Sequence, residues 1–535
     1  MSDTMSTTEG EAWARTRWLV VGPFSSAPSG RRLKIDASNF AATLEAAQLT
    51  VAVELPDALS DGGKQRYQLR FDKLRAFSLS EVLKSEPKLA ELSALAEALV
   101  APDANQRKSV AEAAATCQRL GATRLQKSLE ALSAPPPSSG SSGSALIDQV
   151  LAGAPNPAAS AVDSFVSAIR GSGSSLPPEA RKARSLLEDA LYATAKALLA
   201  RPEVVALESA WRGLKLAVDH ATADAGMVIE VVDVAGEGVI ETVTSALAGE
   251  AFDRPSAVFI TDRIGSAATL EALANLGDEA MVPVVAELPL PWFKLPDAAA
   301  LVTALEKEPK LPDDFRALRE QEAARWLFAA TNEVVSLSEG TGVAERVVLS
   351  SPVFGVLAML ARSFRETGAF GKILGPEAGL KTPGGLTLKS GAHEGSVVPT
   401  GAFVSAKSQA LLASFGILAL GSARNAVEIR LSAAPSVRAA ADAVPLPAQI
   451  QTGRIVRFAQ WCRDQIPPGT DDDGAQAIFA EAAKVFLFGG LEKGAELTAK
   501  VVNESGARMV VIAARVHPLH AGIALELAFS LPLPA

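Results

Sequence analysis

One stretch, Ser133–Ala145 (SAPPPSSGSSGSA), constrains this chain more than any other. Three prolines stiffen its start, Gly and Ser loosen its end, and no side chain in it can join a core, so it reads as a linker. The chain on either side must therefore bury its own apolar residues. The reading gives four segments: a small α+β unit over 1–132, the linker over 133–145, a short helix and flexible stretch over 146–178, and a large unit over 179–535. With 48% hydrophobic and 21% charged residues, both units have the material for a core, and disorder is excluded as the main state.

In the small unit, Trp18–Phe24 (WLVVGPF) is a buried-strand pattern and Ser38 a candidate N-cap for a helix entered at Phe40. Leu49–Leu55 and Tyr67–Phe71 flank Ser60–Gly63 (SDGG), a hairpin signal, and Ala90–Leu132 reads as helix broken near Pro102. In the large unit, apolar strands at Met227–Val234, Ala257–Ile260 and Met281–Ala286 alternate with helices, which argues for an α/β layer. Asp313–Phe328 reads as one helix and Pro352–Thr367 as another. Two strand-like runs, Ala507–Val516 and Ile523–Leu531, end the chain. In the last, Ile523, Leu525, Leu527 and Phe529 alternate with small or polar residues, which fits either a core hairpin or an edge strand offered to a partner.

The chemistry-bearing residues are few. The chain has two cysteines and four histidines, too sparse for a disulfide framework or a zinc site. No P-loop or nucleophile elbow occurs, and Ala235–Gly238 (AGEG) lacks the third glycine of a dinucleotide fingerprint. His517 and His520 read as a polar turn, and Asp471–Asp473 as a solvated loop or a helix N-terminus. No cofactor is expected. A net charge of −9 disfavours a nucleic-acid binder. The polar, acidic N-terminus and the absence of long apolar runs point to a cytoplasmic chain without membrane insertion. Arg316, Arg319, Glu320, Glu322 and Arg325 form a dense charged set, read either as a solvated helix face or as a surface matched to a neighbouring subunit.

Several motifs together resemble the contractile sheath of the type VI secretion system. Leu207–Leu216 (LESAWRGLKL) and Phe315–Trp326 (FRALREQEAARW) are similar to two helices of its large subunit, and Ser350–Phe364 to a following segment. Leu33–Phe40 (LKIDASNF) and Leu69–Phe71 with Phe77, Leu83 and Pro87 are similar to its small subunit. The two subunits, normally separate, are here joined through the linker. Gly401 and Ala419 stand where the family pattern has Glu and Pro, and only a polar Met1–Arg17 precedes the first strand where a longer β-strand segment is usual. The resemblance implies mixed sheets flanked by helices and a C-terminal β-hairpin used for inter-subunit sheet sharing. It further implies a helical homo-oligomer around an inner tube, a baseplate, and a AAA+ unfoldase that recycles contracted sheath through the helix at Ala145–Gly153, with Leu146, Ile147, Val150 and Leu151 as anchors. Two alternatives stay open: a non-contractile adaptor or cap, and an enzyme built on Asp262, Arg316 and Glu320.

Overall fold

The structure is a computed structural model that describes residues 15–103, 105–133, 177–221, 226–288, 290–487, 495–504 and 507–533. The linker beyond Ser133, which ends the helix Thr123–Ser133, and the anchors Leu146, Ile147, Val150 and Leu151 lie outside the described residues. In chain order the strands are β1 (Thr16–Gly22), β2 (Arg32–Ile35), β3 (Leu49–Pro56), β4 (Lys64–Phe71), β5 (Met227–Asp233) and β6 (Ala257–Ile260). Next come β7 (Val284–Glu287), β8 (Leu327–Thr331), β9 (Val334–Glu339), β10 (Arg346–Ser350), β11 (Leu380–Lys381), β12 (Leu386–Thr387) and β13 (Val397–Val398). The last are β14 (Ile417–Ala419), β15 (Glu428–Ile429), β16 (Ala495–Glu504), β17 (Ala507–Val516) and β18 (Leu525–Pro532).

A mixed seven-stranded sheet in the order β14-β8-β7-β6-β1-β5-β2 organises the molecule. Its strands read as near-continuous apolar runs because helices cover both faces. Alternate residues feed two cores. Trp18, Val20, Phe259, Val285 and Phe328 point to one, with the helices Pro202–Val218 and Pro352–Thr367. Leu19, Val21, Val258, Ile260, Val284 and Leu327 point to the other, with the helices Gly238–Leu247 and Ala267–Ala280.

The sheet is assembled from both sides of the linker. β1 runs parallel between β5 and β6, pairing Thr16 with Met227 and Trp18 with Ala257, and β2 closes the edge antiparallel to β5. The boundary drawn at the linker therefore separates two segments that share one sheet. Gly22 ends β1 where a Cβ would lie 2.1 Å from the Thr261 hydroxyl, so only glycine fits between the strands. The β3–β4 hairpin and the helices from Leu79 to Ser133 pack on the first core beside Pro178–Leu199.

Local signals hold where capping chemistry is complete. Helix Pro352–Thr367 starts at Ser351, whose hydroxyl accepts the Val353 amide, with Pro352 in its first turn, and stops at Gly368 with φ of 68°. Asp471 caps Asp472–Ala482 by accepting the Gly474 amide, with Asp472 and Asp473 in the first turn. Ser38 is not a cap. The Asp36 carboxylate takes the Ser38 and Asn39 amides at 2.7 and 3.0 Å, and Asn39 occupies the N-cap position.

Two readings change. Asp313–Phe328 is not one helix: the α-helix ends at Glu320, Gln321 is extended, Glu322–Trp326 forms a 3-10 turn, and Leu327 opens β8. All five residues of β8 are buried between β7 and β14, and continuing the helix would forfeit that burial and its ladder. The C-terminal hairpin is also larger than read. β16, β17 and β18 form a three-stranded antiparallel sheet over a third core, built with the helices Leu446–Asp464 and Asp472–Ala482.

Candidate functional site: assembly surfaces and the seam between segments

A buried ion network stands at the seam between the N-terminal segment and the rest, and touches that segment through two backbone carbonyls. Glu208, on helix Pro202–Val218, receives Arg346 of β10 through both oxygens, at 2.5 and 2.8 Å, and Arg212 at 2.7 Å. Arg346 also reaches Glu339 at 3.0 Å and the Phe77 carbonyl at 2.7 Å, while Arg212 reaches the Leu74 carbonyl at 3.3 Å. The side chains of Glu208 and Arg346 are 1% and 9% exposed. Each charge thus has more than one partner, which a buried ion needs. Beside it, the Trp211 indole donates to the Phe24 carbonyl at 2.8 Å, and Phe24 and Phe40 both meet its ring edge-on. Gly213 lets the ring of Phe354 approach, since a Cβ there would sit 2.3 Å from it. The tryptophan and glycine of the LESAWRGLKL motif are therefore packing residues at this seam.

The C-terminal sheet presents the clearest surface. Leu525, Leu527, Phe529 and Leu531 of β18 face the third core, and Glu526, Ala528 and Ser530 face solvent. Ile523 stands ahead of the strand, half-buried at the margin of that core. Among the described residues β17 is the one sheet neighbour of β18, whereas the helix Asp472–Ala482 lies against β16. The outer backbone amides and carbonyls of β18 are thus an open edge.

Part of the charged set is bonded within the chain. Arg316 pairs with Asp313 at 2.7 Å. Arg319 donates to the carbonyls of Val437 and Ser414 at 3.3 and 3.0 Å. Glu322 holds Arg325 and Arg438, Arg325 reaches Asp442 at 3.2 Å, and Arg438 also donates to the Glu320 carbonyl. The bonds of Arg319, Arg325 and Arg438 fasten the irregular residues 432–445, while Arg316, Glu320 and Glu322 stay exposed. Asp262 accepts the Gly236 amide at 2.7 Å, and among the described residues no bond links it to Arg316 or Glu320.

Sequence reasoning missed one cluster. At the C-terminal ends of β7 and β8, Glu287 and Glu333 line a cavity of about 720 Å³ together with Arg263 and Trp292. Burial pushes the Glu287 carboxyl up to about 7 against the pull of the Ser351 hydroxyl, and burial also raises Glu333. The available signal was a charged residue closing the apolar run MVPVVAE. The two thiols carry no comparable chemistry: both are buried, Cys117 is pushed up to about 11 and Cys462 well above its usual range. Among the described residues no group of three or more His, Cys, Asp or Glu is placed to hold a metal. No helix among them is long and apolar enough to cross a membrane.

Residues 22–126 match the model of the family described as type VI secretion system, VipA. The N-terminal segment is VipA-like. This VipA-like segment runs from the end of β1 into the last helix before the linker and includes the Phe77 and Leu74 carbonyls at the seam. No curated protein sequence matches the chain. Among solved structures, a chain of the anti-feeding prophage baseplate overlaps 61% of this chain and 78% of its own, at 9% identity and a TM-score of 0.34. The contracted helical sheath of the same prophage overlaps 60% of this chain and 78% of its own, at 10% identity and a TM-score of 0.35. The sheath tail protein from Desulfitobacterium hafniense overlaps 56% of this chain and 61% of its own, at 13% identity and a TM-score of 0.32.

Proposed function

We propose that this chain is a structural, non-catalytic subunit of a contractile, type VI secretion-like sheath, with small- and large-subunit parts fused through residues 133–145. One observation carries the reading: a VipA-like segment, residues 22–126, is built into the central sheet of a longer chain, following directly on β1 and contributing β2 at the edge beside β5. Copies assemble helically in the cytoplasm around an inner tube, seated on a baseplate, and contract to drive that tube through a target envelope. The open edge of β18 supports strand exchange between copies, because an edge strand finds its missing hydrogen bonds in a second chain. The energy of contraction resides in inter-subunit packing with two arrangements. The segment Ala145–Gly153 is offered to a AAA+ unfoldase for recycling.

Negative-stain microscopy of the purified full-length chain tests this. Tubes or cogwheel rings are expected under assembly conditions. A strictly monomeric sample refutes the reading, and short capped particles that never elongate favour the adaptor instead.

A further inference from the structure

The cavity at the C-terminal ends of β7 and β8 is used by nothing described so far. Its charged lining is Glu287, Glu333 and Asp297 against the single guanidinium of Arg263. That guanidinium is 86% exposed and approaches Glu333 at only 3.9 Å. The counter-charge therefore stays in water, while Glu287 is desolvated by burial and Glu333, 39% exposed at its side chain, stands at the cavity mouth, so a cation seated between them is partly desolvated and gains from both. A second observation points to an occupant. Thr331 lines the same cavity, is 1% exposed, and its hydroxyl has no hydrogen-bond partner among the described residues. Native interiors rarely leave such a group unmatched. The next residue, Asn332, holds a left-handed φ of 74°. Its amide donates to the Leu420 and Ala402 carbonyls at 2.7 and 2.9 Å and accepts the Ala402 amide at 2.9 Å. This fixed turn presets where Glu333 emerges. Leu290, Trp292 and Pro296 supply an apolar wall.

We propose that this cavity binds a single cationic group on an apolar stem, an alkylguanidinium or alkylammonium, with its charge between Glu287 and Glu333 and its stem along Leu290, Trp292 and Pro296. The Thr331 hydroxyl accepts a hydrogen bond from the bound cation. Such a group is either a free amine or the lysine side chain of a second copy of this chain.

The test is a titration of the full-length chain with n-butylguanidinium, read as Trp292 fluorescence after subtraction of the Trp292→Phe signal. A saturable change is expected, with n-butanol at least about tenfold weaker, since the neutral analogue lacks the charge. Glu287→Gln with Glu333→Gln lowers affinity about tenfold or more. Gly401→Leu is an independent block, because a Cβ at Gly401 meets its neighbours at an ordinary 3.6–3.8 Å and the added side chain fills the cavity. The charged groups facing Glu287 are Glu333, Arg263 and Asp262. Lowering the pH from about 8 to about 6 protonates Glu287 and weakens binding about tenfold. Equal affinity for n-butanol, or unchanged affinity in the carboxamide variant, overturns the proposal. The source is read separately, by zero-length carbodiimide coupling of mixed isotope-labelled and unlabelled chain. A mixed-mass peptide joining Glu287 or Glu333 to a lysine assigns the group to a second copy. Its absence with n-butylguanidinium binding intact assigns a free amine.

Discussion

Removing Arg346 should loosen the VipA-like segment from the rest of the chain. In Arg346→Met, Glu208 keeps Arg212 but loses the two bonds from Arg346, and the Phe77 carbonyl loses its donor at 2.7 Å. Glu208 is 1% exposed, so water cannot replace what is lost. Breaking one side of a buried ion pair costs about 3–5 kcal/mol, most of it the penalty of the charge left behind. Global unfolding is a poor assay for a chain of this size, because several cores need not melt together. A protease site placed within residues 133–145 isolates the effect. After cleavage of the folded chain the two fragments should co-elute, since β1 stays within the central sheet. Glu208 and Arg346 lie on the same fragment, so only the Arg346 bond to the Phe77 carbonyl crosses the cut. Arg346→Met should then weaken association about 10- to 100-fold, the loss of one charged hydrogen bond of about 1.5–3 kcal/mol. Adding Glu208→Leu should restore the stability of the C-terminal fragment itself, because an apolar pair at a buried site leaves no orphaned charge, but not the bond to the Phe77 carbonyl. An association constant changed less than about threefold by Arg346→Met, or fully restored in the double variant, would refute the reasoning.

Glu287 titrates near 7 in the native chain and near 4.5 unfolded, so the native state holds the proton more tightly. Stability should fall as pH rises from about 4.5 through 7, by up to about 3 kcal/mol, and Glu287→Gln should remove that slope in melts compared at pH 5 and 8. Gly213→Ala should lower the melting temperature, at a cost of about 1–3 kcal/mol, because its Cβ overlaps the Phe354 ring. Ala528→Lys, on the solvent face of β18, should leave the melt unchanged while suppressing tubes in micrographs; tubes of normal length would argue against β18 as the joining edge.

Elements whose signals are local were legible in the sequence, as at Pro352–Thr367, framed by Ser351 and Gly368. β18 was legible through its alternation. β16 was not, because AELTAKVVNE mixes Lys and Glu with small residues and its apolar side is only half covered. The break at Gln321 was hidden because its cause is the burial of β8 between two strands, not anything in residues 313–326. The same limit applies to the sites. WLVVGPF announces a buried strand, yet nothing in it says that its neighbours are β5 and β6. Glu287 and Glu333 belong to different strands, and only sheet order brings them to one cavity.

The central position of β1 also bears on how the molecule is made. Arg17 bonds Asp253, 236 residues further along the chain. At about 5–20 residues per second, the ribosome takes roughly 10–50 s to deliver the strands that enclose β1. For that interval Trp18, Leu19, Val20 and Val21, all fully buried in the finished molecule, have no sheet to join. The nascent chain thus carries an apolar strand in waiting, and the trigger that completes the fold is the emergence of residues from the far side of the linker.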